Sequence, residues 1–176
     1  GLLAPLMDQE EQSWLSELDW DYRPIRKIIS SFMNQRLLPG YVASAKGRAR
    51  GYTYFLIQHS KGIIGTLYAA PPDPQSVAER VLAEAVGWLQ NSQSISRIEA
   101  QLFPLNQLVL TPLFKRHGFR HYLRHYLELE MSAIDWSRSP DCSVAIIPWE
   151  SSRISQAAQV TYGSYADELD AEICED

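Results

Sequence analysis

The sequence predicts an α/β fold, a mixed and mostly antiparallel sheet with a central βαβ unit flanked by helices. Three observations carry this. Tyr41–Ala70 reads as three short strands joined by tight turns, an antiparallel meander. The last of these strands is followed by a clearly started helix and then another strand, Arg97–Phe103, and a crossover helix of that kind joins parallel neighbours. A second helix, Leu108–His117, ends at Gly118 and leads to an alternating segment, His121–Met131.

Each element has a local reason. Asp8–Leu18 is acidic and suits a short helix. Pro24 fits the first turn of the next helix, and Ile25, Ile28, Ile29, Phe32, Met33 and Leu37 recur at helical spacing as one apolar stripe. Leu38-Pro39-Gly40 stops it. Tyr41–Ala45, Gly51–Gln58 and Ile63–Ala70 are rich in aromatic and β-branched residues, with Lys46-Gly47 and Ser60-Lys61-Gly62 as the expected turns. Pro71-Pro72-Asp73-Pro74 is a rigid connection. Ser76 and Glu79 then have the S-x-x-E spacing of a capping box, and Val77, Val81, Leu82, Ala85, Trp88 and Leu89 form the expected buried face. In Arg97–Phe103, Ile98, Ala100 and Leu102 alternate with Arg97, Glu99 and Gln101. Pro112 falls inside the Leu108–His117 helix and sets either a later start or a bend. Ser132–Ser143 is polar and reads as a linker, Val144–Pro148 as a short strand, and Ser151–Tyr165 as a helix before an acidic end.

Composition bounds the function. Among 176 residues, 45% are hydrophobic and 21% charged, which suffices for one sizeable core. The formal net charge of −5 argues against a nucleic-acid partner. No apolar run reaches membrane-spanning length, so no membrane partner is expected. Cys142 and Cys174 form no CxxC, which argues against a structural zinc and for reduced thiols in a cytoplasmic protein. His121 and His125 would share a strand face but lie roughly 13 Å apart, too far to hold one metal.

From about Gly40 to Met131 this order of elements resembles the GNAT superfamily of N-acyltransferases. The most specific part is Phe103–Phe119: a strand end near Asn106, then a short helix ending Leu113-Phe114-Lys115-Arg116-His117-Gly118-Phe119, similar to the family's L-Y-x-K-x-G-F. The resemblance implies an acetyl-CoA-dependent N-acetyltransferase acting on an amine of a small molecule or peptide. Acetyl-CoA would lie in a V-shaped gap between the family's fourth and fifth strands, here Ile63–Ala70 and Arg97–Phe103. The pantetheine arm would meet the backbone near Leu67, Tyr68 and Ala69, and the pyrophosphate the helix start at Ser76, Val77 and Ala78. Asn106 and Phe114 would complete the cofactor contacts. Free N–H groups and the helix dipole supply the attraction for an anion. Tyr68 and Glu99 are the weak candidates for catalysis.

The sequence departs from the family at two points. The family's Q/R-x-x-G-x-G/A becomes Asp73-Pro74-Gln75-Ser76-Val77-Ala78, which places a carboxylate where a basic or amide side chain stands and a serine where glycine lets the phosphate approach. Glu79 adds a second carboxylate and Arg80 offsets it. Phe114 replaces the tyrosine that protonates the departing thiolate. These departures favour the alternative, a non-catalytic GNAT-like module that binds a ligand or supports a partner domain. The basic cluster Lys115–His125 reads as a solvated face or as a contact for the CoA 3′-phosphate. The expected organisation is a GNAT-like domain over 1–131, a linker over 132–143 and an appendage over 144–176. Val144–Tyr165 resembles the first strand and helix of such a domain. It either begins a second domain in tandem or supplies a strand to the first sheet or to a neighbouring subunit of a homodimer.

Overall fold

A computed structural model describes residues 1–101, 105, 107–123, 127, 129–135 and 147–165. The chain divides into two compact units, Gly1–Arg124 and His125–Asp176. The first contains helices α1 (Ala4–Leu18) and α2 (Arg23–Asn34), strands β1 (Gly40–Ala45), β2 (Arg48–Gln58) and β3 (Lys61–Ala69), helix α3 (Pro74–Gln90), strand β4 (Arg97–Ala100) and helix α4 (Gln107–Arg116). The sheet runs β1-β2-β3-β4, antiparallel as far as β3, with β3 and β4 parallel across α3. That is the mixed sheet with a central βαβ unit that the sequence predicts.

The meander closes through two tight turns. Lys46 and Gly47, with φ of 51° and 73°, form the left-handed pair that a two-residue hairpin requires. The second turn falls at His59 and Ser60, so β3 starts at Lys61, two residues before the expected strand. One cluster lies between the sheet and α3 and α4, around Phe55, Ile64, Leu67, Leu82, Leu89 and Leu113. The other lies between the sheet and α1 and α2, around Leu6, Met7, Trp14, Tyr22, Tyr52 and Tyr68.

Three expectations need correction. Only Ile29 of the α2 stripe is buried and Met33 packs partly, while Ile25, Ile28 and Phe32 are largely exposed. Helical spacing states which side of a helix is apolar, and only part of that side meets the other elements. On α3, Trp88 is 43% exposed against the ring of Phe55, and Val86 takes the buried place. The third concerns the α3 cap. Asp73 is the residue before the helix, and its carboxylate accepts from the Ser76 N–H, so Ser76 and Glu79 do not form a capping box. Pro74 is the reason: its fixed φ starts the helix three residues earlier, and a side chain just ahead of it becomes the cap. Glu79 instead pairs with Arg116 of α4.

The end of α4 explains the Gly118-Phe119 pattern. Gly118 has a φ of 83°, its N–H bonds to the Lys115 carbonyl, and the Phe119 N–H reaches back to Phe114. This is a Schellman ending, and the Phe114 and Phe119 rings meet edge-on at 5.0 Å as its apolar clamp. Of the strand expected over His121–Met131, residues 121–123, 127, 129 and 130 are unpaired, Met131 begins a 3-10 turn, and 124–126 and 128 lie outside the described residues. The second unit contains two short 3-10 turns, Met131–Ala133 and Ser151–Arg153, the latter leading into α5 (Ile154–Tyr165). Cys142, Cys174 and Val144–Ile146 lie outside the described residues. Among the described residues no helix is long and apolar enough to cross a membrane, and no His/Cys/Asp/Glu cluster could hold a metal ion.

Replacing Gly118 with Ala puts a Cβ on a left-handed backbone. Denaturant titration is expected to show a loss of about 1–2 kcal/mol.

Candidate active site

The opening of the sheet begins at one residue. Tyr54 pairs with Thr66 and Phe55 with Ile64, so Gly65 is an extra residue on β3, a β-bulge. The bulge reverses the strand's facing: Ile64 and Leu67 both point into the α3 cluster, whereas Tyr68 points toward α1 and Thr66 reaches Glu10 on α1. Gly65 is required here, because a Cβ would stand 2.2 Å from Cε2 of Tyr54. The parallel pairing of β3 with β4 ends at the same place, with Ile64 opposite Ala100. Beyond it, Gly65–Ala69 has no β4 partner among the described residues.

A cleft of about 20 Å³, room for about one water, lies at this splay. It is lined by Glu10, Trp14, Thr66, Tyr68, Gln101 and Leu105, with Gly65, Leu67 and Leu110 beside them. Glu10 is the residue that the sequence reading missed. It sits in the buried stripe of α1 with Leu6, Met7 and Trp14 and is 1% exposed. The signal was present: Glu10 stands at i+3 from Met7 and i−4 from Trp14, the middle of an apolar face.

The Glu10 carboxyl has three side-chain donors. Tyr52 Oη donates a short bond to Oε2. Trp14 Nε1 and Thr66 Oγ1 donate to Oε1, each at 3.4 Å. Burial pushes its pKa up, and the donors and the charge of Arg26 only partly oppose this. Burial and the nearby Glu10 charge also raise Tyr52 and Tyr22, and push Tyr54 up to about 12. Burial likewise raises Tyr68, whose hydroxyl lies 3.5 Å from Ser13 Oγ. Arg26 clasps α2 to α1 through Asp8 at 2.5 Å and Glu11 at 2.8 Å. Trp14 stacks on Tyr22 at 4.9 Å and meets Trp20 edge-on at 5.5 Å.

The residues singled out from the sequence fall in several places. Leu67, Tyr68 and Ala69 lie on β3 beyond the bulge, and Tyr68 lines the cleft with Leu67. Glu99 lies where the strands are still paired, opposite Ile63, and its carboxylate is held by Arg97 at 2.8 Å and Lys61 at 3.7 Å. Phe114 is buried in the α3 cluster. Asn106 lies outside the described residues. In the first turn of α3, Ala78 is buried and Val77 packs against the sheet. Three of the four first-turn positions offer an anion no donor: Pro74 has no N–H, Ser76 gives its N–H to the Asp73 carboxylate and Val77 to the Asp73 carbonyl.

No family model and no curated protein matches the sequence. Solved structures do match. One, described as a probable acetyltransferase, is 18% identical with a TM-score of 0.52, over 72% of this chain and 91% of its own. Two looser likenesses are also found. Aminoglycoside N-acetyltransferase AAC(6')-Iy in complex with a bisubstrate analogue is 18% identical with a TM-score of 0.49, over 69% of this chain and 90% of its own. A transcriptional regulator from Bacillus halodurans C-125 is 10% identical with a TM-score of 0.47, over 60% of this chain and 73% of its own. The fold is that of an acetyltransferase. Its strand order and crossover helix follow the fold of that probable acetyltransferase.

A carboxyl whose folded pKa is raised stabilises the fold fully below its ordinary value of 4.5 and loses that contribution as pH rises through the raised value. Wild type is therefore expected to lose stability relative to Glu10→Gln as pH rises above the ordinary carboxylate value. Denaturant melts of both proteins at rising pH check it. Parallel pH profiles would sink the assignment of a raised pKa.

Proposed function

We propose that the Gly1–Arg124 unit binds acetyl-CoA in the splay between β3 and β4 and transfers the acetyl group to an amine. The observation that carries this reading is the bulge at Gly65: beyond it Gly65–Ala69 has no β4 partner among the described residues and lies beside a cleft that contains a carboxyl. A β-strand edge released from its neighbour has N–H and C=O groups to offer an extended ligand such as a pantetheine arm. Leu67, Tyr68 and Ala69 are the proposed contacts for that arm, and Ser76, Val77 and Ala78 the proposed seat of the pyrophosphate.

The chemistry needs little from the protein. An amine nitrogen attacks the thioester carbonyl, a C–N bond forms, the C–S bond breaks and the thiolate departs. A backbone N–H of β3 polarises the carbonyl, and the walls of the cleft fix the approach. Phe114 donates no proton to the thiolate. Of the two candidates read from the sequence, Tyr68 stands at the cleft, while Glu99 serves the ion pair with Arg97 and Lys61. The acceptor is proposed as a small-molecule or peptide amine.

The weak point of the site is the start of α3, where Asp73 already occupies the anion position. Asp73→Ala frees the Ser76 N–H and removes a negative charge. It is expected to tighten acetyl-CoA binding about three- to fivefold, while the lost cap costs about 1 kcal/mol of stability. Calorimetric titration of acetyl-CoA into both proteins tests this. Micromolar binding supports the reading, and no binding at millimolar cofactor would sink it in favour of a non-catalytic module.

A further inference from the structure

We propose that Glu10 is the catalytic residue that takes the proton from the attacking amine, held for that task by Tyr52, Trp14 and Thr66. The proposal rests on the acetyl-transfer reading and supplies the base that reading lacks. Among the described residues that line the cleft, Glu10 carries the one carboxyl. It stands at the splay itself, bonded to Thr66, the residue next to the bulge. Its two oxygens are not equivalent. Oε2 is held by the short bond from Tyr52, whereas the two donors to Oε1 are both at 3.4 Å, near the limit of a hydrogen bond. Oε1 is thus the atom able to take a new proton without breaking a strong contact.

The step balances within the cleft. The amine lone pair forms the C–N bond, and the tetrahedral oxygen re-forms the carbonyl. The C–S electron pair leaves with the thiolate, and the N–H proton passes to Glu10 Oε1. The carboxylic acid so formed returns its proton to water once the products leave.

The surroundings of Glu10 are mostly uncharged. The titratable groups facing Glu10 are Tyr52 and Tyr54 from β2, Tyr68 from β3, and Tyr22 with Arg26 from α2. The tyrosines stay neutral, and Arg26 is engaged by Asp8 and Glu11. Burial therefore dominates and raises the carboxyl above its ordinary value, which makes it a stronger base than a solvated glutamate.

The test uses hydroxylamine, a small amine, as acceptor, with thiol release from acetyl-CoA as the readout. Glu10→Gln keeps an acceptor oxygen for Trp14 and Thr66 and is expected to melt cooperatively. Its kcat is expected to fall by about 10²–10⁴-fold. Its acetyl-CoA Kd should stay within about twofold, because the variant removes no proposed cofactor contact. The wild-type rate should rise with pH along an acid limb above the ordinary glutamate range, and the variant should lack that limb. Glu10→Asp should keep the limb at a reduced rate. A second readout needs no turnover. The Trp14 emission, taken as the difference between wild type and Trp14→Phe, should step with pH where Glu10 ionises and show no step in Glu10→Gln. The proposal is overturned if Glu10→Gln keeps kcat within about threefold, if its acid limb persists, or if wild type shows no Trp14 step. A wild type that binds no acetyl-CoA overturns the acetyl-transfer reading and the proposal with it. Binding and turnover without dependence on Glu10 overturn the proposal alone.

Discussion

One extra residue in β3 governs the geometry of this sheet. Because side chains alternate with a period of two, inserting Gly65 moves every later residue of the strand to the opposite face. Ile64 and Leu67 thereby share the α3 side, and Tyr68 is delivered to α1. Among the described residues the parallel ladder with β4 runs for four pairs and ends at Ile64, beside the insertion. The turn of facing, the opening of the sheet and the cleft at its mouth are one event. Glycine suits the position, since a Cβ there would have to displace the ring of Tyr54.

The second constraint is the carboxyl that α1 carries into this opening. Burying a charge without partners is prohibitive. Tyr52, Trp14 and Thr66 come from β2, α1 and β3, so they meet at Glu10 only when the helix is docked on a correctly registered sheet. The aromatic cluster of Trp14, Trp20 and Tyr22 then closes over the same end of α1. Sheet register, helix docking and the protonation state of one group are coupled through these contacts.

What was legible in the sequence was local. The meander, the α3 helix and the Gly118-Phe119 ending each depend on a few adjacent residues, and each was placed within two or three positions. The bulge was not legible, because Ile63–Ala70 is almost continuously apolar and reads the same in either register. The cap of α3 was misplaced because Ser76 and Glu79 have the right spacing, yet Pro74 starts the helix earlier. Glu10 was hidden in a segment read only as an acidic short helix from Asp8, since the stripe that contains it becomes visible only from Leu6 and Met7 onward. The alternation of His121–Met131 states which residues would share a face but names no partner edge, and the described part of that segment is unpaired. Leu67, Tyr68 and Ala69 were placed at the opening by the resemblance rather than by any pattern in their own chemistry.

The bond between Glu10 and Tyr52 has a consequence for how α1 is seated. Leucine and methionine on a helix tolerate sliding and rotation, since apolar contact has no direction. A carboxyl does not. Turning α1 by one residue, about 100°, would carry the carboxyl away from both sheet donors and leave Tyr52 unanswered in the interior. Of the many ways to lay an apolar helix on a sheet, a single rotational setting keeps Tyr52 and Thr66 engaged. The acidic side chain that weakens the core thus acts as its key, trading stability for a unique alignment of helix and sheet.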